Sequence, residues 1–357
     1  MTPSNIAHLR LYQQHIAASS FKKPAEAVAW LGAVQAQDYL GALWAVGLRL
    51  QHAAEAGIEQ ALAEGSLIRT WPMRGTLHFV AAADVRWMLE LLTPRMIAGA
   101  AGRHRHLGLD EAAFARSRDA FTRALQGGRQ LPRREMMQVL ESAHISTAGQ
   151  RGIHILGRLA QEGLICFGAR QGKQQTFTLL AEWAPHAKSM AREEALAELA
   201  KRYFTGHGPA GLQDFVWWSG LTTSDARAGI EMARPQLVQE VIDGQTCWLS
   251  PSMPAAKELP SAAYLLPAFD EYLVGYKDRR AVLDPLHVKR INAGGGLLSP
   301  TIVIQGRVVG TWKRELKKGR VVLTPSPFAE LKKNEQRLLS AAAGRYGEFL
   351  GLPVVLE

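Results

Sequence analysis

Cysteine and the common nucleotide-binding and metal-binding signatures are scarce in this sequence of 357 residues. Its two cysteines, Cys166 and Cys247, lie far apart among apolar neighbours. They exclude a disulfide framework and an all-cysteine zinc site, and they are predicted to be packing residues of a protein in a reducing compartment. The chain also has no GxxxxGK[ST], HExxH or GxSxG motif, and no GxGxxG follows a predicted strand. P-loop ATPases and the usual zinc protease and serine hydrolase sites are therefore excluded.

A leader and a long apolar run are absent as well. The N-terminus has no basic segment followed by an apolar one, so no secretory signal is evident. The longest apolar stretch, near residues 79–100, is interrupted by Asp84, Arg86, Glu90 and Arg95 and is not expected to span a bilayer. We expect a cytoplasmic protein without a membrane partner.

Acidic residues are in the minority. Lys and Arg number 42 against 32 Asp and Glu, which gives a net charge of +10. Because 47% of residues are hydrophobic, the chain should bury a large core, and the basic excess predicts an anionic partner, nucleic acid before lipid. The excess is concentrated in residues 101–160, with ten Arg and five acids, and in residues 276–333, with thirteen Lys or Arg and four acids. For any single one of these residues a solvated surface is a sufficient explanation.

Hydrophobic periodicity predicts an α+β fold with more helix than strand. Helices are predicted at 5–18, 24–34, from Asp38 to Leu48, 112–126, 132–143, 150–162, 190–205, 210–218, 222–233 and 327–349. Strands are predicted within 67–80 and at 164–168, 174–180, 236–242, 245–250, 262–268, 300–304, 307–312 and 320–324. The turn Asp243-Gly244 predicts a hairpin, and Gly294, Gly295 and Gly296 predict a flexible loop.

Helices followed by a hairpin recur along the chain, which is the pattern of a winged helix. We predict winged-helix units at 1–110, 111–185 and 186–255, followed by a β-rich region with a terminal helix at 256–357. A winged helix usually reads DNA with its third helix. In the second unit that helix carries Gln150, Arg151, His154 and Arg158 on one face. This face of the helix either contacts a DNA groove or its phosphates, or is an ordinary solvent-exposed surface. The sequence leaves both possibilities open.

The polar cluster with the clearest chemical potential is Gln35-Ala36-Gln37-Asp38. The two glutamines fall where the second helix should end, and there residues i and i+2 can both face a cleft. The alternative is a polar helix end with Asp38 as the N-cap of the next helix. A second polar cluster, Arg74-Gly75-Thr76-Leu77-His78, occupies a predicted hairpin. His104 and His106 have no neighbouring ligand set and are expected to contact solvent or phosphate rather than a metal.

Four segments together resemble the winged-helix family of bacterial DNA glycosylases typified by AlkZ and YcaQ. They are VQAQDY, RTWPMRGTLHFV, LLPAFDEYLVGYKDR and PTIVIQGRVVGTWKR, and they occur in the family's order. The resemblance implies three tandem winged-helix motifs around a basic C-shaped channel. It also implies hydrolysis of the N-glycosidic bond of N7-alkylated purines and, in some members, unhooking of interstrand crosslinks. The family's catalytic motif maps onto Gln35 and Gln37, with Asp38, Thr76 and His78 in the site region.

These residue types suit that chemistry. An N7-alkylated purine is a cationic leaving group that needs no protonation, so positioning of water is the main requirement. Glutamine cannot titrate, and its amide can only orient that water. Asp38 could instead act as a general base, although a cap role would occupy it. No lysine lies in the motif, which predicts a monofunctional enzyme without Schiff-base chemistry. We expect no cofactor and no metal, a monomer, and double-stranded DNA with alkylated purines or crosslinks as partner.

The resemblance leaves open two alternative functions, each from a different class of protein. One is a winged-helix DNA-binding transcriptional regulator, and the other is a resistance protein that binds a DNA-alkylating compound without catalysis. Tryptophans could line a pocket for such a compound, although we predict Trp217 and Trp218 to be core residues. The basic residues that we predict to contact DNA are Arg74, Arg103, Arg105, Arg151, Lys277, Arg279, Lys313 and Arg314.

Overall fold

The computed structural model describes residues 3–242, 244–252, 261–294 and 297–357. It confirms the α+β class, with more helix than strand. The chain forms two compact units, one made of Met1–Ile58 with Leu196–Glu357 and the other of Glu59–Ala195. We call them the first unit and the second unit. None of the helices formed by the described residues is long and apolar enough to cross a membrane.

The helices described by the structure follow most of the predicted segments. They are α1 (Pro3–Gln13), α2 (Pro24–Leu31), α3 (Tyr39–Gly47), α4 (Glu55–Ala63), α5 (Val85–His106), α6 (Glu111–Leu125), α7 (Arg133–Ser142), α8 (Arg151–Gln161), α9 (Leu180–Trp183), α10 (Arg192–His207), α11 (Leu212–Ser219), α12 (Thr223–Ala233), α13 (Glu271–Val274), α14 (Val288–Ile291) and α15 (Lys333–Leu350). The sequence analysis assigned no helix to α4 or α5. It missed α5 because Pro94 lies inside this helix and because apolar residues are spread around it.

The strands are short except in the C-terminal region. They are β1 (Val34–Gln35), β2 (Leu67–Met73), β3 (Thr76–Ala81), β4 (Leu131–Pro132), β5 (Ile165–Phe167), β6 (Thr176–Leu179), β7 (Val238–Ile242), β8 (Gln245–Leu249), β9 (Ala263–Leu266), β10 (Asn292–Gly294), β11 (Leu297–Leu298), β12 (Thr301–Ile304), β13 (Arg307–Lys317), β14 (Arg320–Pro327) and β15 (Val354–Leu356). The hairpin of β7 and β8 confirms the predicted turn, although Asp243 itself lies outside the described residues. Gly295 and Gly296 of the predicted loop also lie outside them.

In the first unit, five strands form a sheet in the order β15-β14-β13-β12-β9. All neighbours are antiparallel except β14 and β15, which are parallel. A core cluster joins α1 to β9, β12 and α13 through buried residues that include Leu11, Leu266 and Tyr272. The sequence placed the start of the terminal helix too early. β14 continues to Pro327, and the helix begins at Lys333.

The second unit contains the other large sheet, in which its strands pair in the order β3-β2-β5-β6-β4. The core beside this sheet is formed by α6, α7 and α8, with Phe114, Phe121, Leu140 and Leu156 fully buried or nearly so. Cys166 of β5 is buried here, and Cys247 of β8 is buried in the first unit. Both are free thiols, as predicted for packing residues. Burial raises the pKa of the Cys166 thiol.

Candidate active site

The Gln35-Ala36-Gln37 segment begins four positions after the last residue of α2, a helix that ends earlier than predicted. The helix α2 stops at Leu31 because Gly32 takes a left-handed conformation, with φ of 78°. A Cβ atom at this position would lie 3.1 Å from Trp218 Cη2. Gln35 therefore lies in the short strand β1 and not at a helix end, as the sequence analysis had placed it.

The two glutamines bind each other. Gln35 Nε2 donates a hydrogen bond of 2.8 Å to Gln37 Oε1. Gln35 is only 8% exposed, whereas Gln37 is exposed. The buried amide therefore fixes the orientation of the exposed one. Gln35 is the last residue of β1, and Gln37 lies two residues beyond the strand.

A buried carboxylate lies behind this pair. The backbone N–H of Gln35 donates to Glu271 Oε1 at 3.2 Å. The other oxygen, Oε2, accepts from Trp218 Nε1 at 2.9 Å and lies 3.3 Å from His207 Nε2. Glu271 and His207 are both fully buried. Glu271 was not among the predicted site residues, although the pair of acids Asp270-Glu271 within an apolar segment was a signal for it.

The residue before Glu271 is anchored by a buried ion pair. Asp270 receives two hydrogen bonds from Arg49, of 2.9 Å to Oδ2 and 3.0 Å to Oδ1. Its side chain also accepts from the backbone N–H of Tyr272, which caps α13. Arg49 donates further to Gln14 Oε1 and to the carbonyl of Ala45. The turn that carries Glu271 is thus fixed to α1 and α3.

Asp38 is the N-cap of α3, as the sequence analysis predicted. Its Oδ1 accepts from the backbone N–H of Gly41 at 3.1 Å. Arg314 NH2 also donates to both of its oxygens, at 3.1 and 3.2 Å. Arg314 NH1 donates to the hydroxyl of Tyr346, and burial raises the pKa of this tyrosine. Asp38 is therefore neutralised and held in place by its neighbours.

The second polar cluster forms one hydrogen-bonded hairpin in the second unit. His78 is fully buried, and its Nδ1 lies 3.0 Å from the carbonyl oxygen of Thr76. Since a carbonyl can only accept, Nδ1 carries a proton and the neutral ring presents Nε2 as an acceptor. Arg74 NH2 lies 3.4 Å from that Nε2. Thr76 Oγ1 donates to the carbonyl of Met73. The structure thus brings Arg74, Thr76 and His78 together.

Basic residues around α8 bind other parts of the second unit. Arg151 donates to the carbonyl oxygens of Leu107, Gly108 and Ser146. Arg103 donates to Gln150 Oε1 at 2.7 Å. Arg158 pairs with Glu162 and with Glu111. Arg105 is exposed on the last turn of α5.

The expectation for His104 was wrong. Its ring is buried, with centroids 5.1 Å from Phe114 and 5.6 Å from His154, whereas His106 is exposed. Burial, with a further contribution from His154, lowers the pKa of His104 below its ordinary value of 6.5. Apolar and aromatic neighbours of α6 and α8 explain why this histidine lies inside the unit.

A second group of basic residues lies in the first unit beside an exposed tryptophan. Trp217 is 47% exposed, so the prediction that it belongs to the core was wrong, whereas Trp218 is fully buried as predicted. The Arg279 guanidinium carbon lies 5.9 Å from the centroid of a ring of Trp217, and burial lowers the pKa of Arg279. Lys277 is exposed and its Nζ lies 3.4 Å from Gln213 Oε1. Lys313 is exposed on β13.

Comparison with known proteins decides the family. The model of the family described as AlkZ-like DNA glycosylase matches residues 28–349, which include both glutamines, Asp38 and Glu271. The chain belongs to the AlkZ-like DNA glycosylase family. It is therefore an enzyme, a DNA glycosylase. In the described parts of the chain, the structure shows no group of three or more His, Cys, Asp or Glu side chains that could hold a metal ion.

A curated sequence and a solved structure, both from Streptomyces sahachiroi, agree with this assignment. An interstrand DNA cross-link repair glycosylase is 28% identical over 341 residues, which cover 90% of each chain. The solved structure of the DNA glycosylase AlkZ matches the fold of this glycosylase with a TM-score of 0.82 at 24% identity, covering 100% of both chains. The fold is thus shared along its whole length.

Proposed function

We propose that this glycosylase hydrolyses the N-glycosidic bond of N7-alkylated purines in duplex DNA, with Gln35 and Gln37 positioning the water, and that it unhooks interstrand crosslinks. The observation that carries the proposal is the hydrogen bond of 2.8 Å from Gln35 Nε2 to Gln37 Oε1. It fixes the exposed amide of Gln37, which can orient one water molecule. The crosslink activity rests on the name of the relative from Streptomyces sahachiroi.

Because the two glutamines carry no charge, they restrict the substrates on which the enzyme can act. Alkylation at N7 makes the purine a cation, so the base leaves without an acid, and the enzyme has only to place water and stabilise the sugar. Two glutamines supply no general base, and they are adequate only for such a labile bond. We therefore expect excision of cationic N7 and N3 adducts, with little activity on uracil or normal bases. The reaction is monofunctional hydrolysis, since no lysine lies in the motif.

The surroundings of Asp38 favour water positioning by glutamine over general-base catalysis by this carboxylate. Both of its oxygens face Arg314, and one caps α3. A carboxylate that is paired with a cation and fixed as a cap has little freedom to reach a water molecule. Thr76 and His78 are site-region residues of the same proposal, and Arg74 is one of its DNA-binding residues.

DNA binding in this proposal uses the basic residues that the sequence singled out. Four of them, Arg103, Arg105, Lys277 and Lys313, are exposed and are the direct phosphate contacts of the proposal, although Arg103 and Lys277 each also bind a glutamine. The half-buried Arg74, Arg151, Arg279 and Arg314 bind protein groups and act through the shape of the surface that they stabilise. The same proposal includes tandem winged-helix units at 1–110, 111–185 and 186–255, followed by the β-rich region 256–357. It also includes a basic channel and a monomeric state.

Base release from duplex DNA with N7-methylguanine tests the proposal. Wild type should produce abasic sites that alkali converts to strand breaks, and the variant Gln35→Ala/Gln37→Ala should not. Gln126→Ala, which alters an exposed glutamine at the end of α6, is the matched control and should retain full activity. An oligonucleotide with a defined N7 interstrand crosslink tests unhooking. Wild-type protein that releases neither lesion would contradict the proposal.

A further inference from the structure

The C-terminal region exposes one large apolar side chain on a short turn. Leu286 lies in a single turn of 3₁₀ helix, Pro285–His287, and is 83% exposed. This is the highest exposed fraction among the large apolar side chains of the described residues. Isolated exposed leucines are common on protein surfaces, but this one is held rigidly and is flanked by cations. We call residues 284–290 the Leu286 turn.

Hydrogen bonds fix the backbone of the Leu286 turn. Asp284 Oδ1 accepts from the backbone N–H of Leu286 at 2.9 Å, and the carbonyl of Asp284 accepts from the backbone N–H of His287 at 2.9 Å. Pro285 restricts its own φ angle. The backbone that carries Leu286 is therefore ordered before any partner binds, and less entropy is lost when its side chain is inserted.

Phe328 anchors the turn to the first unit. The ring centroids of His287 and Phe328 are 4.2 Å apart, and the guanidinium carbon of Arg290 lies 4.4 Å from the same Phe328 centroid. Arg290 NH1 also donates to the carbonyl of Phe328 at 3.1 Å. Phe328 itself packs against the core cluster of this unit. Leu286 is thus exposed on a support that is tied to the core, as a rigid wedge requires.

The surroundings of the turn are strongly basic. Residues 279–314 include seven Lys or Arg and one acid, Asp284, whose Oδ1 accepts from the backbone of Leu286. Lys289 and Arg290 of α14 are exposed and follow the apolar tip closely. Proteins that bend DNA use an apolar side chain of this kind between base pairs and cations on the phosphates. Charge and exposure together therefore fit a DNA duplex as the partner of this turn.

The strand β13 relates the Leu286 turn to the glutamine pair. The backbone N–H of Phe328 donates to the carbonyl of Val309, near the start of β13. Farther along the same strand, Arg314 binds Asp38, the residue after Gln37. Val309 and Arg314 are five residues apart, which is about 17 Å in an antiparallel strand, and successive base pairs are about 3.4 Å apart. One bound duplex can therefore contact both places, about five base pairs from each other.

We propose that Leu286 is a wedge that enters the base stack of bound duplex DNA beside the lesion, with Lys289 on a flanking phosphate. This inference rests on the proposed glycosylase reaction and adds a residue that positions its substrate. Insertion kinks the duplex so that it contacts more protein surface, and unstacking costs least where a base is damaged. Leu286 is a positioning residue, since it acts on the base stack and not on the glycosidic bond.

The fluorescence of 2-aminopurine, which rises when this base leaves the stack, tests the wedge. The full-length enzyme is bound at saturation to duplexes with a tetrahydrofuran abasic-site analogue, and 2-aminopurine is placed in turn at each position within about six base pairs of it, a span of about 20 Å. Wild type should raise the fluorescence at one base step. Leu286→Ala should abolish the rise, and Leu286→Met should keep it, because methionine can also enter a base step.

Further measurements show whether the effect belongs to this side chain. Val241→Ala alters an apolar residue of β7 that is 69% exposed, and it should keep the rise. Lys289→Gln should keep the rise at saturation and decrease the slope of log affinity against log salt by about one unit. Leu286→Ala should unfold at the wild-type temperature, because its side chain is exposed. Its single-turnover excision of N7-methylguanine should fall by about tenfold or more, because the lesion is misplaced.

The outcomes separate this inference from the proposed function. Wild type that releases N7-methylguanine but raises the fluorescence at no position overturns the wedge, and so does a folded Leu286→Ala that keeps the rise. Loss of the rise in Val241→Ala as well would assign it to exposed apolar surface in general and would also overturn the wedge. A rise that depends on Leu286, in a wild type that releases no base, supports the wedge and contradicts the proposed glycosylase reaction.

Discussion

Arg314 donates two hydrogen bonds to Asp38, at 3.1 and 3.2 Å, and joins β13 to the first residue after the glutamine pair. The hydrogen bonds connect positions that are 276 residues apart in the sequence. Asp38 in turn caps α3. A single carboxylate thus connects the end of the Gln35–Gln37 segment, the start of α3 and the strand β13.

Asp38→Asn tests whether that carboxylate is structural or catalytic. Asparagine keeps the cap but loses the ion pair with Arg314, so unfolding should become easier by about 1 kcal/mol. The excision rate should fall less than about threefold, since no proton is transferred to Asp38. Thermal unfolding and single-turnover excision measure the two effects. A decrease of about a hundredfold in rate with unchanged stability would identify Asp38 as a general base.

Gln37→Ala removes the exposed amide of the pair. We expect the single-turnover excision rate to fall by about a hundredfold or more, because water loses an aligned partner in the transition state. DNA affinity should change little, since the side chain carries no charge. Equal decreases of rate and affinity would show instead that Gln37 supports the DNA-binding surface. Gln126→Ala serves as the control here too.

Arg49→Met leaves the buried Asp270 without its cation. We expect the free energy of unfolding to fall by roughly 3–5 kcal/mol, which is typical when one partner of a buried ion pair is removed. The double variant Arg49→Met/Asp270→Leu should recover part of this stability. Denaturant titrations of wild type, the single variant and the double variant measure the three free energies of unfolding. A single variant as stable as wild type would mean that the pair contributes nothing to the turn that carries Glu271.

Lys313→Gln and Arg105→Gln should weaken DNA binding without sequence preference. Each removes one exposed charge, so the slope of log affinity against log salt should decrease by about one unit for each phosphate that the variant no longer binds. Lys333→Gln, which alters an exposed cation at the start of α15, is a control for the general charge of the protein. The same change of slope in all three variants would indicate a diffuse effect of net charge rather than specific binding of phosphates.

His104 predicts a pH dependence of stability. Burial lowers its pKa in the folded protein below 6.5, so the unfolded chain binds the proton more readily. Its contribution to stability is therefore complete well above pH 6.5 and is lost as pH falls through that value. The Tm of wild type should decrease more between pH 7.5 and pH 5.5 than the Tm of His104→Gln. Parallel curves for the two proteins would contradict this assignment.

Local signals in the sequence predicted most helices and hairpins of this glycosylase. Apolar spacing located α6, α7 and α8, and the Asp243-Gly244 turn located the β7–β8 hairpin within one or two residues. The helix α5 was missed because Pro94 masked it, and the start of α15 was displaced because β14 continues through Pro325 and Pro327. In both cases tertiary packing outweighs the local preference of proline.

The candidate site was also predictable only in part, because some of its contacts join residues that are far apart in the sequence. Gln35, Gln37 and the cap Asp38 are adjacent in the sequence, and a pattern of neighbouring polar residues shows them. The partners Glu271 and Arg314 are more than two hundred positions away, and their bonds exist only after the chain has folded. Trp217 is exposed and His104 is buried, the reverse of what was predicted. The burial of a single side chain depends on which other elements pack against it, and sequence periodicity does not show that packing.

The bond from the Gln35 backbone to Glu271 spans 236 positions. During synthesis the glutamine motif emerges early, and its carboxylate emerges only when about three quarters of the protein has been made. A nascent or prematurely terminated chain thus holds the motif without the carboxylate that accepts from its backbone. We expect a fragment that ends before residue 271 to contain both glutamines but to lack the contact that fixes the Gln35 backbone.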